Sequence, residues 1–202
     1  MPDENQPLIL HPSSGLARLS PHSGRIVAEM VSGALVEARG VEAQSVVLVT
    51  RFSIGEHEFC EPDYQQVLLW ANALELEATT VVELLLTEPE TEEQEHRTQF
   101  ENGRIIKLYW EFELLPLGSF EWVDGLVIES VFFVPYGHEL TDGALSVPLS
   151  ELRRLDCSGM SLVSLDLSGA PNLTALKCER NDLDSLDIRH VPLLTELSCG
   201  QN

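Results

Sequence analysis

Residues 173–188 read LTALKCERNDLDSLDI, and this stretch decides the fold. Leu176 and Cys178 alternate with Ala175, Lys177 and Glu179, the period of a strand with one buried face. The pattern returns at an interval of 21 residues. Leu155, Leu176 and Leu197 stand 21 apart, as do Cys157, Cys178 and Cys199, and Leu152, Leu173 and Leu194. The pairs Leu162/Leu183, Leu165/Leu186, Asp166/Asp187 and Pro171/Pro192 keep the same interval. Leucines at fixed offsets in units of this length mark stacked coils that share one continuous core. Cysteine is small and apolar enough to stack upon itself in a narrow interior. Pro171 and Pro192 fall in the return segment, where no ladder donor is needed.

The unit L-x-x-L-x-C-x-x-N-x-L-x-x-L-D-[LI]-x-x-x-P-x covers residues 152–202, about a quarter of the chain. It closely resembles the leucine-rich repeat family, in the bacterial variant with Cys in the strand. The resemblance implies a solenoid with a parallel β-sheet, whose exposed strand face is the usual binding surface. It also implies that Asn181 and Asn202 hydrogen-bond backbone in the turn after the strand. Met160 stands where that Asn is expected, which marks the first unit as a degenerate boundary unit. The exposed face carries Arg154, Asp156 and Ser158, then Ala175, Lys177 and Glu179, then Glu196, Ser198 and Gly200. Asp156 and Lys177 are expected as vertical neighbours that pair with each other. No aromatic anchor of the hot-spot kind stands among these positions. Two full units and part of a third are too few to stand alone, so residues 1–150 are expected to support them. Asn202 falls on the Asn of the third unit with no polar capping segment, so the expectation is a longer array or a molecule over that end.

Charge separates the two parts. The chain of 202 residues has a formal net charge of −21. Residues 151–202 hold eight acids against five bases, and residues 1–150 hold 25 against seven. Such a field repels nucleic acid and anionic membrane and speeds encounter with basic proteins. No apolar run is long enough for a membrane span, and the acidic start lacks a signal-peptide pattern. The expected compartment is the cytoplasm of a bacterium. Four cysteines, three of them on the repeat ladder, do not form a disulfide framework.

Upstream, residues 1–22 carry four prolines and Ser13-Ser14-Gly15 and are expected as a flexible leader. Ser23–Arg39 places Ile26, Val27, Met30, Val31, Ala34 and Leu35 at helical spacing, before Gly40. Ser45–Ser53 reads as a strand. Asp63–Leu74 reads as a helix after Pro62, and Thr80 with Glu83 suggests a capping box for a short helix through Leu86. Glu88–Arg97 is a charged linker or loop. Arg104–Leu115 and Leu126–Val134 read as strands joined in a hairpin. The fold expected is α+β: a flexible leader (1–22), an acidic mixed α/β capping domain (23–148), and a short leucine-rich repeat solenoid with a parallel sheet (149–202).

Chemistry is sparse. His57 and Cys60 lie among Glu56, Glu58, Glu61 and Asp63, but no second His/Cys pair accompanies them, so a surface turn is expected and not a metal site. No nucleophile elbow, phosphate-binding loop or zinc-protease motif occurs. An enzyme and a bound cofactor are not expected. Residues 67–85 resemble the last part of a phage-repressor-type helix-turn-helix domain, the basis of a DNA-binding alternative, but the local charge is strongly negative. The expected function is protein–protein interaction. One version is an immunity protein or antitoxin that neutralises a basic toxin through Glu90, Glu92, Glu93 and Glu95. The other is an effector or scaffold, secreted or cytosolic, that docks a protein on Arg154, Asp156, Lys177, Glu179 and Glu196.

Overall fold

The computed structural model describes residues 51–87 and 97–202, together with the backbone of strands within the first 50 residues. Strands β1 (Ile9–Leu10), β2 (Ala17–His22), β3 (Arg25–Met30), β4 (Leu35–Arg39), β5 (Val47–Ile54) and β6 (His57–Cys60) follow one another as an antiparallel meander. The expected strand at 45–53 is β5. The helix expected over Ser23–Arg39 is instead the two strands β3 and β4. Six apolar positions at helical spacing are a weak local signal, and this segment is also rich in β-branched residues. Pairing with β2 and β5 decides the outcome. The leader reading for 1–22 falls partly on β1 and β2 and otherwise outside the described residues.

Helix α1 (Glu61–Ala73) starts with Pro in its first turn, and α2 (Ala78–Leu85) follows a turn in which Glu75 has φ 54°. The Thr80 capping box does not form. The helix begins earlier, Glu77 occupies the N-cap position, and no side chain caps it. Most of the 88–97 linker lies outside the described residues.

Strands β7 (Gln99–Glu101) and β8 (Arg104–Glu111) form a tight hairpin through Asn102 and Gly103, whose φ values of 51° and 76° suit the Asn-Gly turn. Gly103 is held further by its surroundings. An added Cβ would stand 3.1 Å from the Glu58 carbonyl oxygen, and the Gly103 carbonyl accepts the Cys60 N–H at 2.7 Å.

β8 and β9 (Ser130–Val134) pair in parallel, so the hairpin expected over 104–134 is a correction. Parallel pairing needs a long crossover. Residues 112–129 supply it, burying Phe112, Leu115, Leu117, Leu126 and Ile128 on the way. The crossover is the first turn of the solenoid. Next come β10 (Ala144–Ser146), β11 (Arg154–Asp156), β12 (Ser164–Asp166), β13 (Ala175–Lys177) and β14 (Glu196–Ser198). One sheet runs β14-β13-β11-β9-β8-β7, and β10 pairs with β12 in a second parallel sheet. The result is about four stacked turns, roughly 21 residues apart.

One apolar column, buried at its first four positions, explains the stacking. Leu108, Val131, Leu155, Leu176 and Leu197 are partners in successive registers. Around them the template apolar-x-x-apolar-x-apolar recurs as Ile105/Leu108/Trp110, Ile128/Val131/Phe133, Leu152/Leu155/Cys157, Leu173/Leu176/Cys178 and Leu194/Leu197/Cys199. The first four sets are buried throughout. The third position shrinks from Trp and Phe to Cys, so the interior narrows along the solenoid.

Helix α1 covers the first coil. Trp70 meets Trp110 edge-on at 4.9 Å between ring centroids, and both are fully buried. Gln66 donates to the Glu121 carbonyl at 3.0 Å and accepts the Val123 N–H at 2.7 Å. Buried Asp63 accepts the Ile105 N–H at 2.7 Å and pairs with the Arg104 guanidinium at 2.7 Å. Burial pushes the Asp63 carboxyl upward, and the Ile105 N–H and Arg104 oppose that push.

Candidate functional site

Strands β8, β9, β11 and β13 bury alternate residues, and the intervening ones, with those of β14 in register beside them, line up on the open side of the sheet. The register makes two rows. Lys107, Ser130, Arg154, Ala175 and Glu196 form one, and Tyr109, Phe132, Asp156, Lys177 and Ser198 form the other. Two depressions lie along these rows. The larger, about 440 Å³, includes Phe132, Arg154, Asp156, Lys177 and Glu196 in its lining. The smaller, about 320 Å³, includes Lys107, Glu129, Ser130, Phe132 and Arg154. They meet at Phe132 and Arg154, which makes one trough across the strands.

The structure places Arg154, Asp156, Lys177 and Glu196 together in this trough, with Glu179 two residues beyond Lys177. Several of them satisfy one another. Lys177 Nζ stands 4.0 Å from an Asp156 carboxylate oxygen, and the other Asp156 oxygen accepts the Ser158 N–H at 3.2 Å. Glu179 accepts the Ser198 hydroxyl at 2.8 Å. Arg154 and Glu196 make no side-chain hydrogen bond or ion pair with the described residues. Glu90, Glu92, Glu93 and Glu95 lie outside the described residues.

Sequence reasoning missed the upstream half of the face. Tyr109 and Phe132 are half-buried aromatics in line with Asp156, and Lys107 Nζ sits 5.3 Å from the Phe132 ring centre. Burial raises the Tyr109 hydroxyl pKa, and Glu111 and Tyr136 add to the rise. Tyr136 is 59% exposed and holds a left-handed φ of 42° in the turn after β9. The signal was present in the buried template. Once Ile128/Val131/Phe133 is aligned with Leu152/Leu155/Cys157, Ser130 and Phe132 fall on the positions of Arg154 and Asp156.

The turns are held by side-chain ladders that leave little chemistry free. Asn181 Oδ1 accepts the N–H groups of Met160 and Leu162 at 2.9 and 3.0 Å, and its amide donates to the carbonyls of Cys157 and Cys178 at 2.9 and 3.1 Å. Asn202 repeats this one coil later on Leu183, Cys178 and Cys199. Asn172, which starts a glycosylation-like triplet, donates to the Ser150 carbonyl at 2.9 Å. Thr174 and Thr195 donate to the carbonyls of Arg153 and Thr174 at 2.9 and 3.1 Å.

Cys157 and Cys178 are fully buried; burial raises the first thiol well above its usual range and the second to about 11. His57 stacks on Phe100 at 6.3 Å, and the Cys60 thiol donates to the Asn102 carbonyl at 3.6 Å. Among the described residues no cluster of three His, Cys, Asp or Glu side chains has a metal-holding arrangement, and no helix is long and apolar enough to cross a membrane. The helix-turn-helix-like segment forms α1 and α2, whose Val67, Trp70, Ala71, Val81, Val82 and Leu85 all enter the core. Strand β6 leads directly into α1. Comparisons with protein-family models, with curated proteins and with solved structures found no match.

Proposed function

We propose that this protein is a non-catalytic, leucine-rich-repeat-type binding module that docks another protein on the open face of its long sheet. The trough that joins Phe132, Arg154, Lys177 and Glu196 carries this reading. It spans successive coils and combines a half-buried aromatic ring with charges of both signs. Arg and aromatic residues are the side chains that most often dominate a protein interface. The acidic excess acts at longer range. A net charge of −21 steers a basic protein toward the molecule, as in the neutralisation of a basic toxin.

The test is quantitative capture from lysate of the source cells on immobilised full chain. Wild type is compared with Phe132→Ala/Arg154→Glu and with Ser164→Ala/Asp166→Asn, which changes the second sheet. The expected result is one protein retained by wild type and by the second-sheet variant and lost from the face variant. Equal retention by all three would sink the reading.

A further inference from the structure

We infer that the upstream end of the trough is a carboxylate clamp: Lys107, Ser130 and Arg154 hold one acidic side chain of an extended partner segment, and a neighbouring apolar residue of that segment lies on Phe132. This inference rests on the docking reading above and names the chemistry of its first contact. Lys107 and Arg154 are the two register partners of Ser130, one on each side. Neighbouring strands lie about 4.8 Å apart, so the two cationic residues flank the hydroxyl at about 10 Å from each other. Both side chains are long enough to converge over Ser130. A carboxylate seated there accepts from the ammonium, the guanidinium and the hydroxyl together.

Several observations favour this occupant. The three residues line one depression of about 320 Å³. Arg154 is exposed and has no ion-pair partner among the described residues, although acids outnumber bases 33 to 12 in the chain. Guanidinium groups take carboxylates in a two-pronged geometry, which a lone salt-screened ammonium does not match. Glu129 lines the same depression. Its N–H donates to the Ile106 carbonyl at 2.7 Å, and its own carbonyl accepts the N–H groups of Arg153 and Arg154 at 2.8 and 3.1 Å. That backbone is fixed, and the Glu129 side chain makes no ion pair with Arg154. The acidic field of the whole molecule repels free anions, so a carboxylate needs the added burial of an apolar neighbour to stay. Phe132 lies diagonally between the two cationic positions, with Lys107 Nζ 5.3 Å from its ring centre, and the part of its half-buried ring that Lys107 leaves open supplies that surface.

The experiment uses the isotopically labelled full chain and two capped tetrapeptides, glutamate-leucine-leucine-glutamate and its lysine-flanked counterpart. Backbone amide shifts are followed at millimolar peptide. The expected result is movement of the Ser130, Phe132 and Arg154 amides with the acidic peptide alone. Arg154→Ala weakens this binding roughly tenfold, Ser130→Ala weakens it less, and Arg154→Glu transfers the preference to the lysine peptide. Movement of those amides by the lysine peptide in wild type, or by neither peptide, overturns the clamp. If the capture experiment still depends on the face while the acidic peptide fails, the clamp falls and the docking reading stands. If the peptide binds at the clamp while capture ignores the face, the docking reading falls.

Discussion

The upstream and downstream coils share one strand template and differ in almost everything else. Upstream, the third buried position is Trp110 and then Phe133, and the register steps are 23 and 24 residues. Downstream it is Cys157 and Cys178, and the steps are 21. A bulky ring widens the interior, so the return path must lengthen to enclose it. A thiol lets the chain close by the shortest route. The aromatic coils also carry the aromatic part of the open face, Tyr109 and Phe132, whereas the cysteine coils carry only charged and small residues there. The lesson is that the most regular repetition and the aromatic part of the open face sit at opposite ends of this solenoid.

Removing the aromatic interior is expected to have the largest effect. Trp110→Ala is expected to cost about 3–5 kcal/mol in urea unfolding, because it empties the meeting point of Trp70, Phe112 and Phe120. Cys178→Ala is expected to cost about 1 kcal/mol. Equal costs would mean that ring size does not set the coil width.

Asn181→Ala comes next, at about 2–4 kcal/mol, since it strands the N–H groups of Met160 and Leu162 in the interior. Asn202→Ala, in an exposed position, is expected to cost less than about 1 kcal/mol by the same measurement. If the two were alike, burial would not be what gives the Asn ladder its weight.

Gly169→Ala tests how closely the return segments approach. An added Cβ would meet the Pro148 Cα at 2.5 Å and the Val147 carbonyl oxygen at 2.8 Å, contacts that backbone must relieve. The expected cost is about 1–3 kcal/mol by thermal unfolding. No loss would show that the coils have slack there.

The smallest effect expected is on the pH profile. The buried thiols titrate above their unfolded value of about 8.5, so the stability they contribute is complete below that pH. It is lost as pH rises toward about 11 for Cys178. Between pH of about 7.5 and 10.5, wild type should lose more stability than the Cys157→Ala/Cys178→Ala variant. The same loss in both would remove the thiols from the account.

Much of the downstream half was legible because identical residues recur at one interval. The Asp156–Lys177 pair and the grouping of Arg154, Asp156, Lys177 and Glu196 followed directly from strand alternation. The upstream coils were hidden because their template is conserved in character and not in identity. Ile128, Val131 and Phe133 share no residue with Leu152, Leu155 and Cys157, and unequal return segments blur the interval. Misreading 104–134 as a hairpin followed from this, since two strand-like runs with Pro116, Gly118 and Gly125 between them satisfy a local rule. What decided the parallel pairing was the column of Leu108, Val131 and Leu155, a non-local fact. The Asn102-Gly103 turn was a genuine local signal that went unread. At 23–39 the local periodicity pointed to the wrong element, because strand pairing outweighs propensity there.

The Asn ladder gives the molecule a direction in time. Asn181 completes a turn that belongs to the coil before it, and Asn202 does the same for the next. A coil is therefore unfinished until its successor has been made. At a synthesis rate of roughly 5–20 residues per second, the delay between a strand and the side chain that secures its turn is on the order of one to four seconds. Without Asn181 the amides of Met160 and Leu162 lack their acceptor. Hydrogen exchange on released chains that end before and after Asn181 would see that protection switch on.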